Sequence, residues 1–497
     1  MKLIKKIAAI MFAFMMVVSM SCNVKADEGT SSTTKGTITI SNAIPGQTYK
    51  IYKILDLESY STNVVKGEEK GNFAYKPSSE WANFIKGENV KDKYFTFDGE
   101  YVSWKENASV EEFAKQAILY ANKKNQVITA NDTKTVPAAS AGQTTSTLTF
   151  EVPSFGYYLV DSSVGTLCSL DTTKPAATIQ EKNGVPSVDK IITSGGVVSA
   201  DGKSNSASIG DTVNFKTTIT AQPGAQNYVL HDKMNDGLTF NNTVEVKKGE
   251  STVATSYYTL KTSDFNDDCT FEIVFGQKFC DDLQKDEKIT VTYSATLNEN
   301  AVIAGEGNKN ETWLKYGENN NLETTHPTTD TKTFEMHVFK FYKDKKNSEI
   351  GLADAVFTLS KKSDGTEPIK LTKTNENSNI YKVNNNGMIT DITTPGDGKF
   401  TIQGLGAGTY YLTETKQPDG YNKLSGPVTV VIDKDGKVKV KNGDAYDEVT
   451  QVKVENKTGT VLPSTGGMGT TMIYLIGGAL VLGSGVVLAT KRRVKNK

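Results

Sequence analysis

The run Gly408-Thr-Tyr-Tyr-Leu-Thr-Glu414-Thr-Lys-Gln-Pro418-Asp-Gly420-Tyr421 reads as a strand, Gly408–Thr415, followed by a Pro/Asp/Gly turn signal. Similar short runs lie on both sides of it: Phe334–Phe341, Ala355–Lys361, Gly398–Leu405, Val428–Ile432 and Gln451–Glu455. Asp433-Lys-Asp-Gly436 has the look of part of a calcium loop, but between two strand runs it reads as a hairpin turn. The Asn/Thr-rich stretch Asn375–Pro395 is expected to be a long loop. Residues 331–460 therefore form one all-β domain.

The same pattern extends upstream. Ser187–Thr193, Thr212–Ala221, Tyr228–Asp232, Thr243–Lys247, Thr270–Phe275, Lys288–Leu297 and Thr312–Tyr316 are strand candidates at sandwich-like intervals, giving a second domain over residues 183–330. Residues 27–182 form a third unit, with strands at Gly36–Ser41, Tyr49–Leu55, Leu148–Val152 and Tyr157–Val160. It also carries a helix. Ser109 and Glu112 make a capping box, and Val110, Phe113, Ala114, Ala117, Ile118 and Ala121 recur at helical spacing. The expected architecture is all-β: tandem immunoglobulin-like sandwiches, with a helix-decorated N-terminal domain.

Composition agrees and excludes some functions. The chain has 497 residues, room for roughly three domains. Its 56 Lys+Arg against 57 Asp+Glu give no electrostatic case for nucleic acid. Three His leave little material for His-based catalysis or metal binding, and no metal or cofactor is expected. No paired acid/base or nucleophile site of a hydrolase stands out. If Cys22 leaves with a leader, Cys168, Cys269 and Cys280 remain; Cys269 and Cys280 either pair or are small buried residues.

Both ends are addressing segments. Lys2, Lys5 and Lys6 precede the apolar run Ile7–Val18, and residues 1–26 read as a secretory signal cut after Ala26; Ser19-Met20-Ser21 before Cys22 is a poor lipobox. In residues 461–497, Leu462-Pro463-Ser464-Thr465-Gly466 precedes an uncharged run, Met468–Thr490, long enough to span a bilayer. A basic end, Lys491-Arg492-Arg493, would stay cytoplasmic.

Several of these motifs resemble one family. Leu462–Gly466 is similar to the LPxTG sorting signal of Gram-positive surface proteins, in which a sortase cuts between Thr465 and Gly466. Tyr410–Tyr421 resembles the YxLxETxAPxGY box of Cna B-type domains, with Gln417 replacing the usual Ala. Val338-Phe-Lys340, Gly351-Leu-Ala-Asp-Ala355-Val-Phe357 and Val454-Glu-Asn456-Lys-Thr-Gly459 match the opening and closing of such a domain. Tyr228-Val-Leu-His-Asp232-Lys-Met-Asn-Asp-Gly237-Leu238 is similar to the acid segment of pilin middle domains. Over nearly its whole length the chain resembles the backbone pilins of sortase-assembled Gram-positive pili.

The resemblance implies intramolecular isopeptide bonds from a first-strand Lys to a last-strand Asn. In the last domain these are Lys340 and Asn456, 116 positions apart (456 − 340), with Glu414 as the assisting acid. In the middle domain they are Lys190 and Asn310, 120 apart (310 − 190), with Asp232 in the acid's place and Asn308 as reserve acceptor. Asn310, Thr312, Leu314 and Tyr316 share one face at period two, which turns Asn310 inward with Leu314. A Lys amine is a nucleophile only when neutral, and burial favours that form. A buried acid in its protonated form can polarise the Asn carbonyl and pass a proton to the leaving ammonia. The first strand of the N-terminal domain, Thr37-Ile-Thr-Ile40, carries no Lys, so no bond is expected there.

A pilin also needs a nucleophile on each subunit. Lys182-Asn183, before Pro186, partly matches the family's VYPKN setting, with Gln180-Glu181 in place of Tyr-Pro; Lys174 is a second candidate. By this resemblance a class C sortase carries Thr465 to Lys182 of an identical subunit, and a housekeeping sortase links the fibre to peptidoglycan at the cell surface. Ancillary tip pilins and host ligands are further implied partners. The protein is then a substrate and a structural element, not an enzyme. The alternative is a monomeric wall-anchored adhesin binding a host ligand through its first domain.

Overall fold

A computed structural model of the chain describes residues 35–65, 68–123, 126–138, 145–172, 176–459 and 469–494. The leader with Cys22, Lys174 and the Leu462–Gly466 motif lie outside the described residues. The chain divides into two compact units, one of residues 1–161 and 168–181, the other of 162–167 and 182–497.

The first unit is built on two sheets. In one, Gly36–Ala43 lies between Ala176–Gln180, parallel to it, and Ser146–Val152, antiparallel. In the other, Gly156–Ser162, Thr48–Val65, Glu68–Pro77, Tyr101–Trp104 and Phe95–Asp98 are neighbours in that order. The alternating inward residues Ile38, Ile40, Phe150 and Val152 fill one core. The helix Val110–Ala121 starts where its capping box sets it: Glu112 N donates to Ser109 Oγ at 3.1 Å. It buries Phe113, Ala114, Ala117, Ile118 and Ala121 in a second core with Trp81, Tyr94 and Phe95. Val110, expected on that face, is exposed instead, and the buried stripe starts at Phe113. Among the described residues of this unit no lysine is buried.

The second unit holds two sandwiches. In the middle one, Ser187–Ser194, Thr212–Thr220, Lys288–Leu297 and Leu238–Lys248 run side by side as one sheet. Thr328–Lys332, Asn308–Tyr316, Val229–Met234, Phe271–Phe275 and Tyr258–Lys261 are consecutive in the facing sheet. Lys288–Leu297 alternates throughout, burying Ile289, Val291, Tyr293, Ala295 and Leu297 while the residues between them stay half-buried. In the last sandwich, Phe334–Lys343 pairs antiparallel with Lys399–Leu405 and parallel with Val452–Glu455. Its partner sheet runs Ile392–Thr393, Val356–Ser360, Gly408–Lys416, Val428–Ile432, Val438–Asn442 and Ala445–Val449.

Hydrogen bonds from backbone N–H groups join the two sandwiches. Gly406 N donates to Ser208 Oγ at 3.0 Å, Ala407 N to Ser206 Oγ at 3.1 Å, and Ile209 N to the Gly404 carbonyl at 2.9 Å. Gly404 and Gly406 are required at this seam. Gly404 has a φ of +86°, and a Cβ on either would come within 3 Å of Ile209 or of the backbone at Ala207–Ser208.

One expectation needs correction. Asn375–Pro395 is not a plain loop: Ile380–Val383 pairs in parallel with Lys399–Leu405, and Ile392–Thr393 edges the other sheet. Of the two readings of Cys269 and Cys280 the structure has the second: they form no disulfide with each other and both are buried, and Cys168 is buried as well. Asp433–Gly436 is a hairpin turn, in which Asp433 Oδ1 accepts from Asp435 N and Lys437 N at 3.0 Å each.

The last helix, Gly469–Val494, has 26 residues, about 39 Å at 1.5 Å per residue. Counting only described residues, no helix is long and apolar enough to cross a membrane. The full sequence of this helix nevertheless holds no charge before Lys491.

Candidate functional site

In the last sandwich three polar side chains occupy inward slots that period-two alternation gives to apolar residues. Lys340 follows Met336 and Val338 inward, Asn456 follows Val452 and Val454, and Glu414 follows Tyr410 and Leu412. The parallel register sets Lys340 against Val454, and Asn456 N donates to the Phe341 carbonyl at 3.0 Å, so the first and last strands meet at the site. Lys340 and Glu414 side chains are fully buried, and Asn456 is 1% exposed.

Lys340 Nζ donates to Asn456 Oδ1 and lies 3.0 Å from Glu414 Oε1. Asn456 Nδ2 donates to the same Oε1 at 2.9 Å, and Leu424 N donates to Oε2 at 2.9 Å. Glu414 thus faces the amide nitrogen of Asn456, not its carbonyl as the sequence suggested. One carboxylate oxygen bridges the nucleophilic nitrogen and the nitrogen that must leave. Burial, beside the ring of Phe357 at 5.4 Å, lowers the pKa of Lys340 against the raising effect of Glu414.

The middle sandwich assembles a similar group from other strands. Lys190, Asp232 and Asn310 are all fully buried. Lys190 Nζ lies 2.6 Å from Asp232 Oδ2, with the rings of Phe215 and Tyr293 at 5.5 and 5.3 Å. Tyr293 donates its hydroxyl to the same carboxylate oxygen, and Asn310 Nδ2 donates to Tyr293 Oη at 3.4 Å. Asn310 Oδ1 is buried with no hydrogen-bond partner. Lys190 and Asn310 thus meet through Asp232 and Tyr293; no direct hydrogen bond between them is seen among the described residues. Desolvation pushes Lys190 down to about 8 despite Asp232, and pushes Asp232 up.

Asn308 is committed elsewhere. Its Oδ1 accepts from Val302 N at 2.9 Å and its Nδ2 donates to the Thr331 carbonyl at 3.1 Å. Tyr293 escaped the sequence reading, because an inward aromatic in an alternating strand looks like ordinary core. Its one available signal is the hydroxyl, which in a core needs a partner. Lys182 is exposed, in a segment without helix or strand between Ala176–Gln180 and Ser187–Ser194.

Such groups are costly as ion pairs, since desolvation of buried charges rivals their attraction. Condensing amine and amide into a neutral secondary amide removes the charge. The geometry therefore suits a reaction better than a static salt bridge.

Comparison with known proteins places these segments. Residues 200–320 match a model described as a Gram-positive pilin backbone subunit 2, Cna-B-like domain. Residues 337–445 match a prealbumin-like fold domain, and 454–497 an LPXTG cell wall anchor motif. The trypsin-resistant surface T6 protein of Streptococcus pyogenes serotype M6 is 24% identical over 252 residues, 48% of this chain and 44% of that protein. The chain thus spans under half the length of that curated relative. The T6 backbone pilin of the same serotype, described as a modular three-domain structure, superposes with a TM-score of 0.51 at 16% identity, covering 88% of this chain and 96% of that one. BcpA, the major pilin subunit of Bacillus cereus, gives a TM-score of 0.43 at 13% identity, covering 86% and 100%. The matched segments thus run in the order of a Gram-positive pilin backbone subunit: a Cna-B-like pilin-backbone domain at 200–320, a prealbumin-like domain at 337–445 and an LPXTG wall-anchor motif at 454–497.

Proposed function

We propose that this chain is the repeating subunit of a covalent surface fibre and that it crosslinks itself twice. The observation that carries the reading is the buried set Lys340, Glu414 and Asn456, with Glu414 Oε1 between both nitrogens. Neutral Lys340 Nζ attacks Asn456 Cγ. Glu414 takes the proton from the amine and gives it to the departing nitrogen. A Lys–Asn amide forms and one ammonia leaves, so atoms and charge balance. Lys190, Asp232 and Asn310 do the same in the middle domain, with Tyr293 holding the acid. The bond in domain 331–460 ties first strand to last; the bond in domain 183–330 ties the first strand to Asn308–Tyr316, which Thr328–Lys332 follows, rather than to the last strand as the sequence suggested, and pulling on the fibre loads these strands.

Assembly uses the two ends. After removal of residues 1–26, the Met468–Thr490 span and basic tail hold the chain until a sortase cleaves between Thr465 and Gly466. A class C sortase passes the Thr465 acyl group to Lys182 of the next subunit, releasing the sortase cysteine. A housekeeping sortase later transfers the fibre to peptidoglycan. Lys182 suits this role because it is exposed and lies outside any sheet.

The test is co-expression with the cognate class C sortase and a denaturing gel of wall extracts. A ladder that collapses to monomer in Lys182→Ala supports the reading. A ladder lost only in Lys174→Ala moves the acceptor. Wall-bound monomer without a ladder in the parent overturns the fibre and favours a solitary adhesin.

A further inference from the structure

His231 and Asp232 are neighbours on Val229–Met234 and face opposite sides of it. Asp232 turns into the sandwich, onto Lys190. His231 turns to the other face, where Glu272 on one neighbouring strand and Trp313 on the other are its register partners. Asp267 and Cys269 arrive from the segment just before Phe271–Phe275.

These side chains converge. His231 Nδ1 lies 3.1 Å from Cys269 Sγ, 3.1 Å from Asp267 Oδ2 and 3.5 Å from Glu272 Oε1. One donor atom from each of the four lies within 4.8 Å of all the others. The set is sheltered, unlike a surface patch of acids: His231 is 3%, Glu272 8% and Cys269 9% exposed, with Asp267 half-buried at the rim. Trp313 stacks on the His231 imidazole at 5.1 Å and 12°, and His326 stacks on Trp313 at 4.7 Å, which fixes the ring's plane. The other ring nitrogen, Nε2, is buried without a hydrogen-bond partner. A cavity of about 510 Å³, lined also by Asn227, Lys261 and Lys315, opens onto the cluster and supplies an entry path.

We propose that His231, Asp267, Cys269 and Glu272 form a site for a divalent transition-metal ion of the Zn2+ class, on the reverse face of the strand that presents Asp232. Nitrogen, sulfur and oxygen donors together suit Zn2+ and disfavour Ca2+ or Mg2+, which take oxygen. Bonds of about 2.0–2.3 Å in a tetrahedron set neighbouring donors roughly 3.3–3.6 Å apart. Separations of 3.1 to 3.5 Å about Nδ1 need to open by only a few tenths of an ångström in reaching that range. On binding, the Cys269 thiol becomes a thiolate and releases one proton to solvent. A thiolate and two carboxylates exceed the charge of a divalent ion. Lys315, 2.9 Å from Asp267 Oδ2, and Lys261, 3.6 Å from Glu272 Oε2, offset the excess. The ion would staple Val229–Met234 to Phe271–Phe275 and to the segment before it. The low His count of the chain had argued against any metal; one His placed beside a Cys and two acids is enough.

The test is a titration of the purified chain with Co2+, a visible reporter for Zn2+ sites. The expected result is one Co2+ per chain, a thiolate-to-cobalt charge-transfer band, release of one proton, and displacement by one equivalent of Zn2+. Cys269→Ser should abolish the band and weaken binding by roughly 10–100-fold or more, since loss of a ligand exceeds the loss of an outer-shell partner. Cys280→Ser should leave both unchanged. If His231→Gln fails to fold, Asp267→Asn at the rim tests the same set by affinity. No stoichiometric uptake of Co2+ or Zn2+ overturns the site, as does a band that survives Cys269→Ser.

Discussion

Glu414 Oε1 accepts from Asn456 Nδ2 at 2.9 Å while standing 3.0 Å from Lys340 Nζ. A single oxygen within reach of both the attacking and the leaving nitrogen is the arrangement a proton relay needs. Glu414→Ala is therefore expected to leave the last domain uncrosslinked and the middle domain unaffected, because each acid acts only on its own pair. Peptide mapping after digestion reads this as loss of the Lys340–Asn456 linked peptide alone.

The middle domain gives a finer test. Tyr293→Phe removes the hydroxyl that holds Asp232 and keeps the ring that packs on Phe215 and Phe271. It should slow formation of the Lys190–Asn310 bond while leaving the Lys340–Asn456 bond at its normal rate. Asn310→Ala should abolish the middle bond. Asn308→Ala should not, since Asn308 is engaged by Val302 and Thr331, although loss of those buried bonds will lower stability by about 1–3 kcal/mol.

Bond formation in the middle domain should depend on pH. Burial brings Lys190 down to about 8 from an ordinary value of 10.5, so its neutral, nucleophilic fraction grows as pH rises through about 8. In chain refolded from denaturant and quenched at intervals, crosslinking should be faster at about pH 9 than at about pH 6. The linkage sign follows. Between about 8 and 10.5 the unfolded chain binds more protons at this lysine than the folded one. The uncrosslinked Asn310→Ala variant should therefore gain stability from this group as pH rises through that window. A flat rate profile would contradict attack by a free amine.

If Lys340 and Asn456 are joined as proposed, Lys340→Ala removes a covalent closure across 116 residues, worth about 5 kcal/mol by chain entropy. For a domain of this size the melting temperature should fall by roughly 15 °C. Trypsin resistance of the last domain should fall with it, measured by the rate of loss of the intact band.

Much of this site was legible because it breaks a rule. Lys190, Lys340 and Asn310 are polar residues at inward positions of alternating strands, and Glu414 lies in a run whose motif is specific. Tyr293 obeys the rule, so nothing in its strand marks it. The Val438–Asn442 and Ala445–Val449 hairpin went unread because its residues are half-exposed or exposed on both faces and show no alternation. Ile380–Val383 hid in an Asn-rich stretch because it is only four residues long, held by short pairings with Leu371–Lys373 and Lys399–Leu405. The orientation of the Asn456 amide is set in space by Lys340 and Glu414, on two other strands, and no local pattern encodes it.

The two buried Lys/acid/Asn sets are expected to react without any partner. Intact-mass measurement of the purified chain, expressed without a sortase, tests it most directly. The expected mass is that of the sequence less one ammonia for each of the two sets, hence two in the parent and one in Glu414→Ala. A parent mass equal to that of the uncrosslinked sequence would contradict the account.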